Sequence, residues 1–210
     1  MNKGCLSRFF LIMGLCLLFF SSFLHAMYRL TPEMEQEIVY YQNRYDAQPT
    51  SNNACFNLAM VYAYTGDIEA GFDKLKQLTS DYADVVLDEC LVEIQKDPNQ
   101  WRVYFRQAFG YYFKKDYEST IQSFKQVLSL KPDQIWAMAF IAYVHGEQGE
   151  LSEALDWTNK ALALEPDSAA LHFLMGEVLR RKKRYFASVS HFVKCAHFRS
   201  KEKKYRMELK

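Results

Sequence analysis

Glycine and proline are scarce, at eight and five in 210 residues. A turn-rich all-β fold or a disordered chain uses far more of both, so the long stretches without either favour helices. Charge of one sign is also lacking. The formal net charge is +1, which gives no global attraction to nucleic acid. There is no glycine-rich phosphate loop, no G-x-S-x-G and no nucleophile beside an evident base, so no enzyme and no cofactor or metal is expected. Cysteine is sparse as well. Cys5 and Cys16 lie near the start, and Cys55, Cys90 and Cys195 are far apart with no CxxC. Their helical apolar settings suit buried small hydrophobes, although in an oxidising compartment one pair could form and leave a free thiol. What abounds is aromatic: 14 Tyr, 16 Phe and 3 Trp in a chain that is half hydrophobic and 24% charged.

Residues 1–26 have the layout of an export signal: Lys3 and Arg8, an uncharged run, then Ala26 at a cleavage point. The alternative is an uncut signal-anchor, with a membrane tether through residues 9–28, since about 20 apolar residues span a bilayer. Met13-Gly14-Leu15 before Cys16 makes a poor lipid-attachment box. Without the leader, 24 basic residues face 25 acidic ones. The expectation is an exported, periplasmic or secreted protein, or one anchored by its first helix.

A repeat organises the rest. Leu128-Ser-Leu-Lys-Pro132-Asp and Leu162-Ala-Leu-Glu-Pro166-Asp recur 34 residues apart. Tyr104, Gln107, Ala108 and Tyr111 share one helical face; Lys115-Asp116 makes a turn; Tyr117, Thr120, Phe124 and Val127 line the next helix. Residues 135–168 repeat this with Met138, Ile141, Ala142 and His145, a turn at Gly149, then Leu151, Ala154, Thr158 and Ala161. Residues 169–202 repeat it with His172, Met175, Gly176, Leu179, Tyr185, Ser188, Phe192 and Cys195. A divergent unit, 52–85, offers Cys55, Leu58, Ala59, Tyr62, Gly66 and Gly71. The pattern resembles the tetratricopeptide repeat, a 34-residue helix–turn–helix with small residues where its two helices approach. The resemblance implies an all-α, right-handed superhelical solenoid. Its units are 52–85, 101–134, 135–168 and 169–202, with an extra helix at 86–100 between the first and second. Residues 27–51 read as a capping helix with Thr31 as N-cap and Pro32 at the first helical position, running to about Ala47. Residues 203–210 read as a charged tail suited to covering the last hairpin.

In such an array the first helices of the hairpins line an inner surface. These helices carry a second stripe beyond the one their core needs: Phe56, Asn57, Met60 and Tyr64; Arg102, Phe105, Arg106, Phe109, Tyr112 and Phe113; Trp136, Phe140 and Tyr143; Phe173, Leu174, Glu177, Arg180 and Arg181. Clustered aromatics and arginines are what binding hot spots use. The expectation is therefore a protein-interaction module holding a peptide or partner helix on an aromatic groove, with Arg102, Arg106, Arg180 and Arg181 orienting acidic groups. Two alternatives are a groove filled by the chain's own segments and a self-associating structural scaffold. Asn57, Arg102 and Arg106 match places used by relatives that clamp a chaperone's C-terminal carboxylate, but the Lys and Asn of a preceding unit are missing. The run Arg180 to Arg184 falls at the last hairpin turn, where solvated charge suits a helix C-terminus. His191 and Cys195 have metal spacing without a third ligand.

Overall fold

The computed structural model describes residues 30–79 and 81–208, with side chains as far as Glu202. The leader read at residues 1–26 lies outside the described residues. Among those described there are ten helices and no strand. They are α1 (Pro32–Ala47), α2 (Asn52–Tyr64), α3 (Ile68–Leu75), α4 (Tyr82–Lys96), α5 (Trp101–Phe113), α6 (Tyr117–Leu130), α7 (Ile135–Gln148), α8 (Leu151–Leu164), α9 (Ala169–Arg181) and α10 (Tyr185–Glu208). None is long and apolar enough to cross a membrane.

Short polar residues start the helices by accepting their orphan amides. Thr31 Oγ1 accepts from Met34 N, Ser51 Oγ from Ala54 N, Asp116 Oδ1 from Ser119 N and Ser168 Oγ from Leu171 N. Pro32 occupies the first turn of α1, where no amide is needed. The helices pair as hairpins, α2 with α3, α5 with α6, α7 with α8 and α9 with α10. Each hairpin turns through one left-handed residue: Gly66, Lys115, Gly149 and Lys183.

Small side chains let the paired helices touch. Ala108, Ala142 and Ala154 are wholly buried, and Ser188 Oγ donates to Gly176 O at 2.8 Å, tying α10 to α9. Gly176 leaves room for the Phe192 ring, which an added Cβ would meet at 2.7 Å. Between hairpins, α6 packs on α7 and α8 on α9. The extra helix α4 takes the corresponding place before α5, and α1 takes it before α2. Helix α10 runs as one helix of 24 residues to Glu208.

The first hairpin does not simply extend the row. Helix α2 packs against α7. Its Tyr64 ring meets Trp101 at 5.3 Å and Phe105 at 5.7 Å, both edge-on. Glu69 of α3 pairs with Arg199 of α10, 130 residues away. The first hairpin thus lies across the inner wall of the others.

Candidate functional site

The open aromatic floor expected from the sequence is replaced by an internal core. Phe56, Met60, Tyr64, Phe105, Phe109, Trp136 and Phe140 are all buried, Phe105 at 0% exposure. Two contacts account for this. Phe105, Phe109 and Phe140 gather on Phe124 of α6, with Phe124 and Phe140 stacked at 5.6 Å and 9°. Trp136 is covered by the α2–α3 turn, where its ring lies against Gly66. A second apolar stripe demands burial; here stacking of α5 on α7 and docking of α2 supply it.

The two arginines expected to orient a partner's carboxylates are instead held within the chain. Arg102 reaches Glu37 at 2.9 Å and Glu33 at 3.1 Å, both on α1. Burial alone would work against its charge. The Glu37 carboxylate outweighs this and holds the guanidinium pKa above its ordinary value. Arg106 forks to Glu93 at 2.8 Å and Glu89 at 3.0 Å on α4. Helix α5 is thereby pinned between α1 and α4. The sequence carried no local signal for Glu33, which is 69 residues from its partner. Asn57 donates to Asn53 within α2.

A rim of the stripe stays partly open. Tyr112, Phe113 and Tyr143 are half-buried, and Tyr112 Oη donates to Tyr143 Oη at 3.3 Å. Burial, reinforced by this contact, pushes the Tyr112 phenol up, so it remains a neutral donor. Phe173 is 54% exposed beside Phe192. Glu177 and Arg180 pair at 2.7 Å, and Arg181 is exposed close to Gly146. Of the eighteen stripe positions, those on this rim are the accessible ones.

Behind the rim, His172 of α9 and His191 of α10 meet with their Nδ1 atoms 3.0 Å apart. His172 Nε2 lies 2.9 Å from Pro166 O, so it donates there and leaves Nδ1 to accept from His191. His191 is thereby occupied by His172, and no group of three metal-ligating side chains exists among the described residues. Desolvation and mutual repulsion lower the pKa of His172, and desolvation with Lys194 lowers that of His191. A depressed base binds protons less well folded than unfolded. This pair's contribution is therefore full above the ordinary value of 6.5 and lost as pH falls through 6.5 towards the depressed values. The wild-type unfolding free energy is expected to drop across that window, and His172→Gln to flatten the drop. Denaturant melts at several pH values check this. Cys55 and Cys90 are buried and free; burial pushes the Cys90 thiol up to about 12, making it an inert core residue, and Cys195 is half-buried.

Helix α6, the α7–α8 hairpin and most of α9 fall within residues 114–178, which a Tetratricopeptide repeat family profile matches. In sequence the chain matches no curated protein. Two crystal structures of MamA superpose on it with TM-scores of 0.51 and 0.50, each at 16% identity. They cover 82% of this chain and 86% and 92% of those chains. A MamA structure from Desulfovibrio magneticus RS-1 superposes at 0.49 with 15% identity over 81% of this chain and 88% of its own. The fold is a tetratricopeptide-repeat solenoid. Within that solenoid the repeats at 101–134 and 135–168 supply the buried rings, and the last supplies the open rim. The tetratricopeptide hairpins place their first helices inward, and here the first hairpin occupies part of that inner surface.

Proposed function

We propose that the protein is a scaffold that engages other proteins on the ends and rim of its solenoid rather than inside a groove. One observation carries this reading. The inner-wall rings Phe105, Phe109 and Trp136 are covered by the chain's own hairpins, while large apolar side chains such as Phe173 and Phe186 stand in solvent. A partner chain displacing α2 would have to expose that core first. A partner docking on the outside does not. Arg102 and Arg106 already hold carboxylates of the chain itself, Glu33, Glu37, Glu89 and Glu93.

A second reading rests on the rim. Exposed Phe173 with Tyr143, Arg180 and Arg181 nearby on α7 and α9 can seat a short acidic peptide, the ring giving apolar contact and the arginines carboxylate contact. The leader at 1–26, if it directs export or anchors the chain, would set this scaffold in an envelope or extracytoplasmic complex; fractionation with protease protection tests that placement.

A photo-crosslinking residue at Phe173 or Phe186 is expected to trap other protein chains in the native cell. The same residue at Phe109 is expected to trap only the chain itself. Capture of a foreign chain from position 109 would overturn the scaffold reading in favour of an inner groove that opens.

A further inference from the structure

Large apolar side chains are exposed on the last helix in a pattern the other hairpins do not share. On α10, Phe186 is 96% exposed, Val193 64% and Val189 60%. They follow at spacings of three and four, so they form one stripe about two turns long. The repeat register shows that this is not the ordinary outer face. Phe186 stands where the two preceding hairpins have Glu118 and Ser152, and Val193 where they have Lys125 and Asn159, all four exposed. Val189 stands where they have Ile121 and Leu155, which are half-buried in their own units. The last hairpin therefore carries the stacking position of an internal unit and adds two apolar groups beside it.

The surroundings are basic. Residues 180–202 hold eight basic side chains and one acidic side chain. The opposite holds at the other end, where residues 30–100 hold thirteen acidic and four basic ones. That acidic end has an apolar stripe of its own. On α4, Val85 is 46% exposed and Val92 49%, with Leu91 at 54% beside them. Exposed Asp81, Asp84 and Asp88 lie among them, with Asp84 already paired to Lys114 and Asp88 nearest the two valines in the helix. Val85 and Val92 are seven residues apart, as are Phe186 and Val193, so both stripes run about 10 Å. The exposed Val39 and Tyr40 of α1 make a poorer match, because Arg44 lies over the Tyr40 ring.

We propose that the basic, apolar face of α10 docks on the acidic, apolar face of α4 in a second copy of this chain. This deepens the scaffold reading and rests on it. The two faces differ, so the contact is heterologous, and each molecule keeps one free donor and one free acceptor. Copies then add head to tail into a filament or a closed ring. Opposite charge steers the encounter, and the paired stripes hold it.

Sedimentation of the full chain tests this with two variants, Phe186→Glu and Asp88→Lys. Both replace exposed side chains, and unchanged melting curves confirm that each still folds. Wild type is expected to gain mass with concentration and to lose it as salt rises. Each variant alone is expected to lose at least tenfold in association and stay monomeric. Mixed, they are expected to form a one-to-one dimer that grows no further, because one keeps an intact α4 and the other an intact α10. Three results overturn the proposal: wild type monomeric at every concentration, Asp88→Lys associating as wild type does, or monomeric wild type binding anionic phospholipid vesicles through Phe186. The last would assign the face to a membrane surface. Foreign chains trapped at Phe173 alongside a monomeric wild type would leave the scaffold reading standing without this one.

Discussion

Phe105→Ala is expected to cost about 3–5 kcal/mol of unfolding free energy, the range for emptying a well-packed aromatic site. The ring is wholly buried and is a junction between hairpins. It meets Tyr64 of α2 at 5.7 Å, Phe109 of its own helix at 5.7 Å, Phe124 of α6 at 5.3 Å and Phe140 of α7 at 5.9 Å. No single hairpin can close the resulting hole, because the neighbours belong to four helices. A domain of this kind has about 5–15 kcal/mol in hand, so the variant loses a large share of it. Urea unfolding measures the loss. Phe173→Ala, at a half-exposed ring, is the control and is expected within about 0.5 kcal/mol of wild type. If the two variants were equally mild, the inner wall would be open and the docking of α2 on it would be wrong. The same comparison separates stability from binding. Weaker partner capture by Phe105→Ala should track its unfolded fraction, whereas Phe173→Ala should change capture without changing the melt.

Gly66→Ala is expected to be the other severe change, and Gly149→Ala its measure. Both glycines turn a hairpin with positive φ, at 86° and 83°. Putting a side chain on left-handed backbone costs about 1–2 kcal/mol, and at Gly149 nothing lies within 4 Å to add to it. At Gly66 the new Cβ would sit 2.4 Å from Trp136 Cζ2 and 2.8 Å from Cε2. The indole is buried at 2% exposure, so moving it disturbs the packed core. Overpacking adds about 1–3 kcal/mol, so the total is about 3 kcal/mol. For a chain of this size, that corresponds to a fall of roughly 6–12 °C in melting temperature, against roughly 2–8 °C for Gly149→Ala. Tryptophan emission should shift to the red in Gly66→Ala alone as Trp136 is pushed towards water. Equal losses from the two substitutions would mean that the first hairpin does not rest on Trp136. Lys115 and Lys183 show that a left-handed turn tolerates a side chain where there is space for one.

Much of the fold was legible because it is local. The left-handed residues at 115, 149 and 183 fall one repeat apart, and the sequence placed turns at Lys115 and Gly149 from spacing alone. Ala108, Ala142 and Gly176 marked the close approach of paired helices, and Thr31 with Pro32 marked the start of α1. Each signal depends on neighbours within a helix or a hairpin, which is the range over which sequence pattern and backbone geometry are coupled.

The site was less legible. The second stripe told that Phe105, Phe109 and Trp136 must leave water, and it could not tell what would cover them. Burial is proportional to area and blind to its source, so a peptide, a second copy and the chain's own α2 look alike from Leu58 to Tyr143. Arg102 and Arg106 likewise called for carboxylates without naming Glu37 and Glu93. The outward face of α10 was readable in principle, by comparing Phe186 and Val193 with their counterparts one and two repeats earlier.

By itself the sequence determined the helices, the hairpins and their order, because periodicity, caps and turn residues act over a few residues. Only the tertiary structure decided that the first hairpin folds across the inner wall, that Arg102 and Arg106 of α5 pair within the chain, and that apolar stripes stay exposed on α10 and α4. Those outcomes turn on which of several greasy faces meet first and fit best. That is settled by three-dimensional packing between segments many tens of residues apart, which no local pattern encodes.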